Sequence, residues 1–331
     1  MKKIFISAIC IATTLAFLSC GSNATGPANE VLSKKAFSAA IAKYDDVGDF
    51  NEGVAIVKIE DGWRYKSGLI DSKGKEVVAC IYKHLSPSSC GTMLFEDDHG
   101  YGYINTKGQV VVKSGVYEKA YDFTENLACV RKNTKYGFID VKGNEVIPCT
   151  YDRAYPFSDG IALVYNNKKY GYINTKAEFV VAPSYDDGEF FSCGVAITRK
   201  GNKYYVIDTK GSVIFSIDRN KSEFLEDQFS ENLIPVIREQ NNKLMVGYLN
   251  IKGEEVIPFE YQYGLNFEDG TALVMKDFKV YKINTKCTLL GEEKESEILI
   301  DFIDDAKEYV TFTGNILIQL LGKDAFEDYK D

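Results

Sequence analysis

The chain has 331 residues, 45% of them hydrophobic, and a formal net charge of −9. That apolar content excludes a disordered chain and permits a sizeable core. The acidic balance disfavours binding to nucleic-acid phosphates, and to anionic lipid through basic patches.

The chain opens with Lys2-Lys3, an apolar stretch from Ile4 to Leu18, and then Ser19-Cys20-Gly21. The stretch is short for a membrane span, which needs about 20 residues, and reads as a signal peptide over residues 1–19. Its ending, Phe17-Leu18-Ser19-Cys20, resembles the lipobox of bacterial lipoproteins, in which Leu is usual where Phe17 stands. The resemblance implies cleavage before Cys20 and acylation of its sulfur. Residues 20–43 then read as a lipidated cysteine, a flexible tether ("GSNATGPANE") and an N-terminal cap, with a short helix expected within 29–43.

From about residue 44 to 290 the sequence repeats. Lys73, Lys107, Lys142, Lys176, Lys210, Lys252 and Lys286 are spaced by 34, 35, 34, 34, 42 and 34 residues. Two residues before each Lys stands Asp71, Asn105, Asp140, Asn174, Asp208, Asn250 or Asn284, preceded by Ile or Leu. In six of the seven copies the Lys is followed by Gly or Ala, and in the seventh by Cys287. This pattern predicts a type I turn whose Asx side chain bonds backbone N–H groups two residues on, and whose last residue takes positive φ. A second mark, Phe-x-acid-Gly/Asn, recurs at Phe50–Gly53, Phe123–Asn126, Phe157–Gly160, Phe229–Asn232 and Phe267–Gly270. Small residues follow at Ala55, Ala128, Ala162, Ala196 and Ala272, where a neighbouring layer is expected to approach closely. Each copy is read as three strands: A ("GIALVY"), B ("YGYIN") and C ("EFVVAP"). Pro148, Pro183 and Pro258 are expected to end strand C. β-branched residues, aromatics and glycines argue against the helix pairs that this period otherwise suits.

The run F-x-D-G-x-A-x-V, Y-G-Y-I-N-T-K-G, V-V-x-P-x-Y-D resembles the WG (KWG) β-repeat of bacterial proteins. Tyr101, Tyr136 and Tyr170 stand where that family often has Trp before the Gly, and the sole Trp, Trp63, lies elsewhere. The resemblance implies an all-β repeat domain and no defined activity. The expected fold is about seven three-stranded units in an open, stacked, solenoid-like array with small helical caps. A seven-bladed propeller-like ring is the alternative, disfavoured because blades usually need four strands and about 40 residues. Residues 291–331 read as a C-terminal cap, with Ile298, Leu299, Phe302, Ile303 and Ala306 on one helical face.

Beyond Cys10 and Cys20 there are six cysteines, Cys80, Cys90, Cys129, Cys149, Cys193 and Cys287, and only two histidines. An envelope location permits disulfides, with connectivity left open. The absence of C-x-x-C speaks against zinc. The candidate surface residues are Trp63 and the turn lysines Lys73, Lys107, Lys142, Lys176, Lys210 and Lys252. Phe to Lys is 19 residues in most copies but 23 in copies one and six, so the A–B hairpin is expected to be longer there, with Trp63 in the first insert. Extra loop on one face of a repeat array often marks binding. Acids at Tyr44–Asp46, Tyr185–Asp187 and Phe95–Gly100 recur as an acidic chain requires and form no recognisable catalytic motif. The expectation is a lipid-anchored binding or scaffolding protein of the bacterial envelope, periplasmic or surface-exposed. It would engage an envelope protein or glycan, without catalytic residues, cofactor, metal or nucleic acid. A carbohydrate-binding module and an envelope hydrolase are the alternatives.

Overall fold

The computed structural model describes residues 34–293, except 242 and 278. Cys20, the signal-peptide segment, the tether and the C-terminal cap, with its expected helix at 295–309, lie outside the described residues. Within them the protein is almost wholly β. One helix, α1 (Lys34–Ile41), precedes seven four-stranded antiparallel sheets, each an open meander of consecutive strands. By compactness the described residues form two units, one within Met1–Thr134 and Phe138–Val146, the other within Lys135–Gly137 and Ile147–Asp331.

The fourth sheet shows how a copy is made. A two-residue leading strand, Arg153–Ala154, pairs with strand A, Ile161–Asn166. Strand A pairs with B, Lys169–Asn174, and B with C, Phe179–Tyr185. The leading strand corrects the three-stranded unit expected from sequence. In four sheets it is only two residues long, such as His84–Leu85 and Asp187–Gly188, too short for alternation to be seen in sequence. The repeat thus reaches a blade's strand count in 34 residues, which removes the ground on which the ring alternative was disfavoured.

Both turns of the copy follow from local chemistry. In all seven copies the Asx side chain accepts the turn Lys N–H and the N–H two residues later, as Asn174 Oδ1 does from Lys176 and Glu178, both at 3.0 Å. The turn closes with Gly or its substitute donating to the Asx carbonyl, Ala177 N to Asn174 O at 3.0 Å. Ala177 and Cys287 take φ of 65° and 61°, the left-handed conformation expected of them.

Between the leading strand and A, the Ser158–Ile161 bridge closes a two-residue turn with both residues at positive φ: Asp159 at 53° and Gly160 at 76°. That is the type I′ pattern, whose twist matches a hairpin. All seven copies have it. The sequence reading found five, because Cys90 (φ 54°) and Cys193 (φ 57°) replace the acid, and Ser88 replaces Phe in copy two.

Strand C carries the other correction. Pro148, Pro183 and Pro258 lie inside strands Glu145–Tyr151, Phe179–Tyr185 and Glu255–Tyr261, not at their ends. They sit in a bulge: Tyr170 opposes Tyr185, yet Tyr172 opposes Val181. The bulge folds over Gly171, where a Cβ would lie 2.7 Å from Pro183 N and Val181 O. In the fifth sheet Tyr205 takes the glycine's place, and strand C there, Val213–Asp218, pairs residue for residue from Ile217 to Phe215. Glycine before the buried core residue therefore licenses a bulged strand C.

Three of the sheets pack on the next through a buried tyrosine. Tyr172 is fully buried, meets Phe191 of the next copy edge-on at 5.3 Å, and donates its hydroxyl to Glu189 O at 2.9 Å. In the same unit Tyr248 meets Phe267 at 5.2 Å and donates to Leu265 O at 2.7 Å. In the first unit Tyr103 meets Phe123 at 5.1 Å and donates to Tyr121 O at 2.6 Å. Edge-to-face rings add to the burial they share. Ala55, Ala128, Ala162, Ala196 and Ala272 are all buried, as a close layer requires.

Helix α1 caps the first sheet. In later copies the turn glycine rests on the preceding strand C, as Gly108 does on Val77 and Val78. Gly74 rests instead on Phe37, Ala40 and Ile41, the i, i+3, i+4 face of the helix. Phe37 also meets Phe50 at 6.0 Å. The expected N-terminal helix thus stands in for a missing preceding strand.

This packing sets a measurable asymmetry. Tyr172→Phe, which strands one backbone acceptor, is expected to cost about 1 kcal/mol, and Tyr172→Ala about 3–5 kcal/mol. Urea unfolding checks both, and a neutral Tyr172→Ala would contradict the packing described.

Candidate interaction surface

The structure separates the two sets of sequence-predicted residues. Trp63 lies at the A–B hairpin of the first sheet and Lys73 at its B–C turn, at opposite ends of strand Arg64–Asp71. Eight residues of strand span roughly 25 Å. Lys107, Lys142, Lys176, Lys210 and Lys252 occupy the B–C turn of their own sheets, and all six lysine side chains are exposed. The turn uses only the backbone N–H at this position, so it does not itself call for an ammonium group.

The inserts lengthen the hairpin as expected. Strands A and B have eight residues in the first and sixth sheets, Val54–Asp61 with Arg64–Asp71 and Leu233–Gln240 with Lys243–Asn250, against six elsewhere. Pairing continues to Asp61 opposite Arg64. The tip of the first hairpin carries Trp63, 83% exposed, and Tyr65, 52% exposed. The Arg64 guanidinium lies 4.0 Å from the indole centroid, a cation–π contact. Beside it is an open depression of about 460 Å³, walled also by Lys66, Lys83 and Asp98. Lys66 pairs with Asp61 at 3.2 Å and Lys83 with Asp98 at 3.0 Å. Sequence reasoning selected Trp63 but missed Arg64 and Tyr65, its neighbours in the same insert.

The acids weighed for catalysis do structural work. In the Tyr-Asp pairs the carboxylate clamps the A–B hairpin of its own copy. Asp45 accepts Glu60 N at 2.7 Å, and Asp186 accepts Gly201 N at 2.7 Å while pairing with Lys169. Lys169 holds the Asp186 carboxyl below its usual range. Asp97 accepts His99 N and Ser114 Oγ, both at 2.7 Å. Among the described residues no group of three His, Cys, Asp or Glu could hold a metal ion. Cys80, Cys90, Cys193 and Cys287 are free thiols.

Two of those thiols belong to a ladder that runs from turn to turn. In five of the type I′ turns the first residue accepts the N–H of the second residue one copy later. In the first unit Gly91 N donates to Glu52 Oε2 at 2.9 Å and Asn126 N to Cys90 Sγ at 3.4 Å. In the second, Gly194 N donates to Asp159 at 2.8 Å, Asn232 N to Cys193 Sγ at 3.4 Å and Gly270 N to Glu231 at 2.7 Å. The preceding Ser adds a rung, with Ser158, Ser192 and Ser230 donating to the carbonyls of Phe191, Phe229 and Phe267. Successive copies are therefore built to one plan, down to the atoms of their turns.

The "WG containing repeat" model matches residues 41–63, 68–95, 101–136, 136–170, 170–204 and 247–279, more than half of the chain. The chain belongs to the WG-repeat family. A search of curated proteins found no match. Several solved structures are similar at low identity. Hsv2 of Kluyvelomyces marxianus is 9% identical with a TM-score of 0.41, covering 74% of this chain and 96% of that one. A eukaryotic initiation factor is 10% identical with a TM-score of 0.36, covering 76% and 87%. An uncharacterised protein of Listeria monocytogenes EGD-e is 14% identical with a TM-score of 0.34, covering 75% and 94%.

In this WG-repeat protein one carboxyl stands apart. Glu189, half-buried, has its pKa pushed up to about 7, first by burial and then by Asp227 and Asp187. Asp227 holds the same place before Phe229 that Glu189 holds before Phe191. A carboxyl raised in the folded state binds its proton more tightly there, so its contribution falls as pH rises from the unfolded value towards 7. Glu189→Gln is expected to stabilise the protein at pH 8 relative to pH 4.5 by about 1 kcal/mol after allowing for solvent screening. Denaturant titrations at the two pH values check this. A pH-independent effect would contradict it.

Proposed function

We propose that this WG-repeat protein is a non-catalytic, lipid-anchored interaction module of the bacterial envelope. Cys20 carries the lipid and the β-repeat presents the binding surface. The observation that carries the reading is the over-long first hairpin, whose indole and phenol rings are exposed beyond the length the repeat needs. Exposed rings of this kind are enriched where partners bind. The anchoring part rests on the apolar N-terminal segment and its Phe-Leu-Ser-Cys ending.

Crosslinking from the first hairpin in envelope extract tests the surface. A discrete partner is expected with the parent protein and at least a tenfold weaker yield with Trp63→Ala/Tyr65→Ala. Equal yields would overturn the surface. Cys20→Ala is expected to move the protein from membrane to soluble fractions, and unchanged partitioning would overturn the anchor.

A further inference from the structure

Resting on the interaction-surface reading, the geometry points to an acidic glycan, bearing ring carboxylates, as the ligand of the first hairpin. Three observations carry this. The first is the chemistry of the depression. Its carbon surface is aromatic, from Trp63 and Tyr65, and the rest of its lining is charged. A protein interface wants an apolar centre depleted of charge. A sugar wants a flat ring beneath its C–H face and charged groups at its rim for its hydroxyls, which is what this depression has.

The second is the state of the charges. Lys66 and Lys83 are neutralised by Asp61 and Asp98. Arg64 has no carboxylate partner among the described residues; its contact is with the Trp63 ring. The depression therefore holds one uncompensated cation on a chain of net charge −9. Guanidinium is suited to planar, bidentate recognition of carboxylate. Its place on the indole puts that fork next to the ring on which a sugar would stack.

The third is the contrast between the two long hairpins. The sixth sheet is lengthened by the same pairing, Leu233 opposite Asn250 to Gln240 opposite Lys243. It has no aromatic residue from Arg238 to Met245. Lengthening a hairpin therefore does not itself require exposed rings, and their presence in the first is a separate feature.

Trp63 is the single tryptophan of the chain, among 22 tyrosines, so tryptophan emission, excited selectively beyond the tyrosine absorption band, reports this site alone. The experiment titrates the full chain with hexagalacturonate, with maltohexaose as the neutral counterpart, and with poly-L-glutamate as an acidic peptide. The expected result is a saturable change in emission with hexagalacturonate, at least tenfold weaker with maltohexaose or poly-L-glutamate. Arg64→Ala should weaken it about tenfold, leaving the circular dichroism spectrum unchanged. Tighter binding of poly-L-glutamate would overturn the glycan and leave the interaction surface standing. So would silence with all three probes while a discrete protein of envelope extract still crosslinks to the first hairpin. Silence with probes and extract alike would overturn both readings. Equal binding by Arg64→Ala would overturn the carboxylate part.

Discussion

Five of the leading turns are held by the turn before them. A type I′ turn needs positive φ at two successive residues, and outside glycine that conformation costs roughly 1 kcal/mol or more per residue. Asp159, Cys193 and Glu231 carry that strain at φ of 53°, 57° and 52°. The same backbone turns their side chains towards the next copy, where they accept the amide of Gly194, Asn232 or Gly270. Strain in one copy is thus offset by a bond to another. Three sheets add a buried tyrosine, Tyr103, Tyr172 or Tyr248, that donates to the following copy, and so depend on it further. Stability then resides in interfaces between neighbours, as in other repeat proteins.

The thiols at Cys90 and Cys193 fit this account. Sulfur is a weak acceptor, and the two longest rungs of the ladder, both at 3.4 Å, are theirs. The ladder tolerates a weak rung because the adjoining Ser89 and Ser192 hydroxyls bond the next copy's carbonyls, Phe123 O at 2.6 Å and Phe229 O at 2.7 Å.

Much of this was legible in sequence. The Asx-x-Lys-Gly turn could be read because its chemistry is local, and the structure has its two side-chain bonds in every copy. The hairpin inserts followed from counting between fixed points. The leading strand escaped because Arg153–Ala154 and its equivalents are too short to alternate. The prolines misled because Pro183 is tolerated inside a strand only where Gly171 lets the bulge close over it, a contact between strands. Copies two and five were missing from the Phe-x-acid pattern because Cys performs the acid's bonding without its charge. Arg64 and Tyr65 could have been noticed from the sequence, since they share the insert with Trp63. Their exposure is a property of the overhanging hairpin alone.

The two ends of each sheet do different work. One end carries both turns, the ladder and the lysines. The other carries the A–B hairpin, free of the ladder and so able to lengthen in the first and sixth sheets without breaking a rung. The central claim is that the ladder holds the copies together. Native-state hydrogen exchange at single-residue resolution tests it most directly. The amides of Gly194 and Gly270, which lie in surface turns, are predicted to exchange slowly, because each is bonded to the preceding copy. The amide of Gly53, in the first such turn, is predicted to exchange at peptide rates. Exchange of Gly194 and Gly270 as fast as Gly53 would contradict the account.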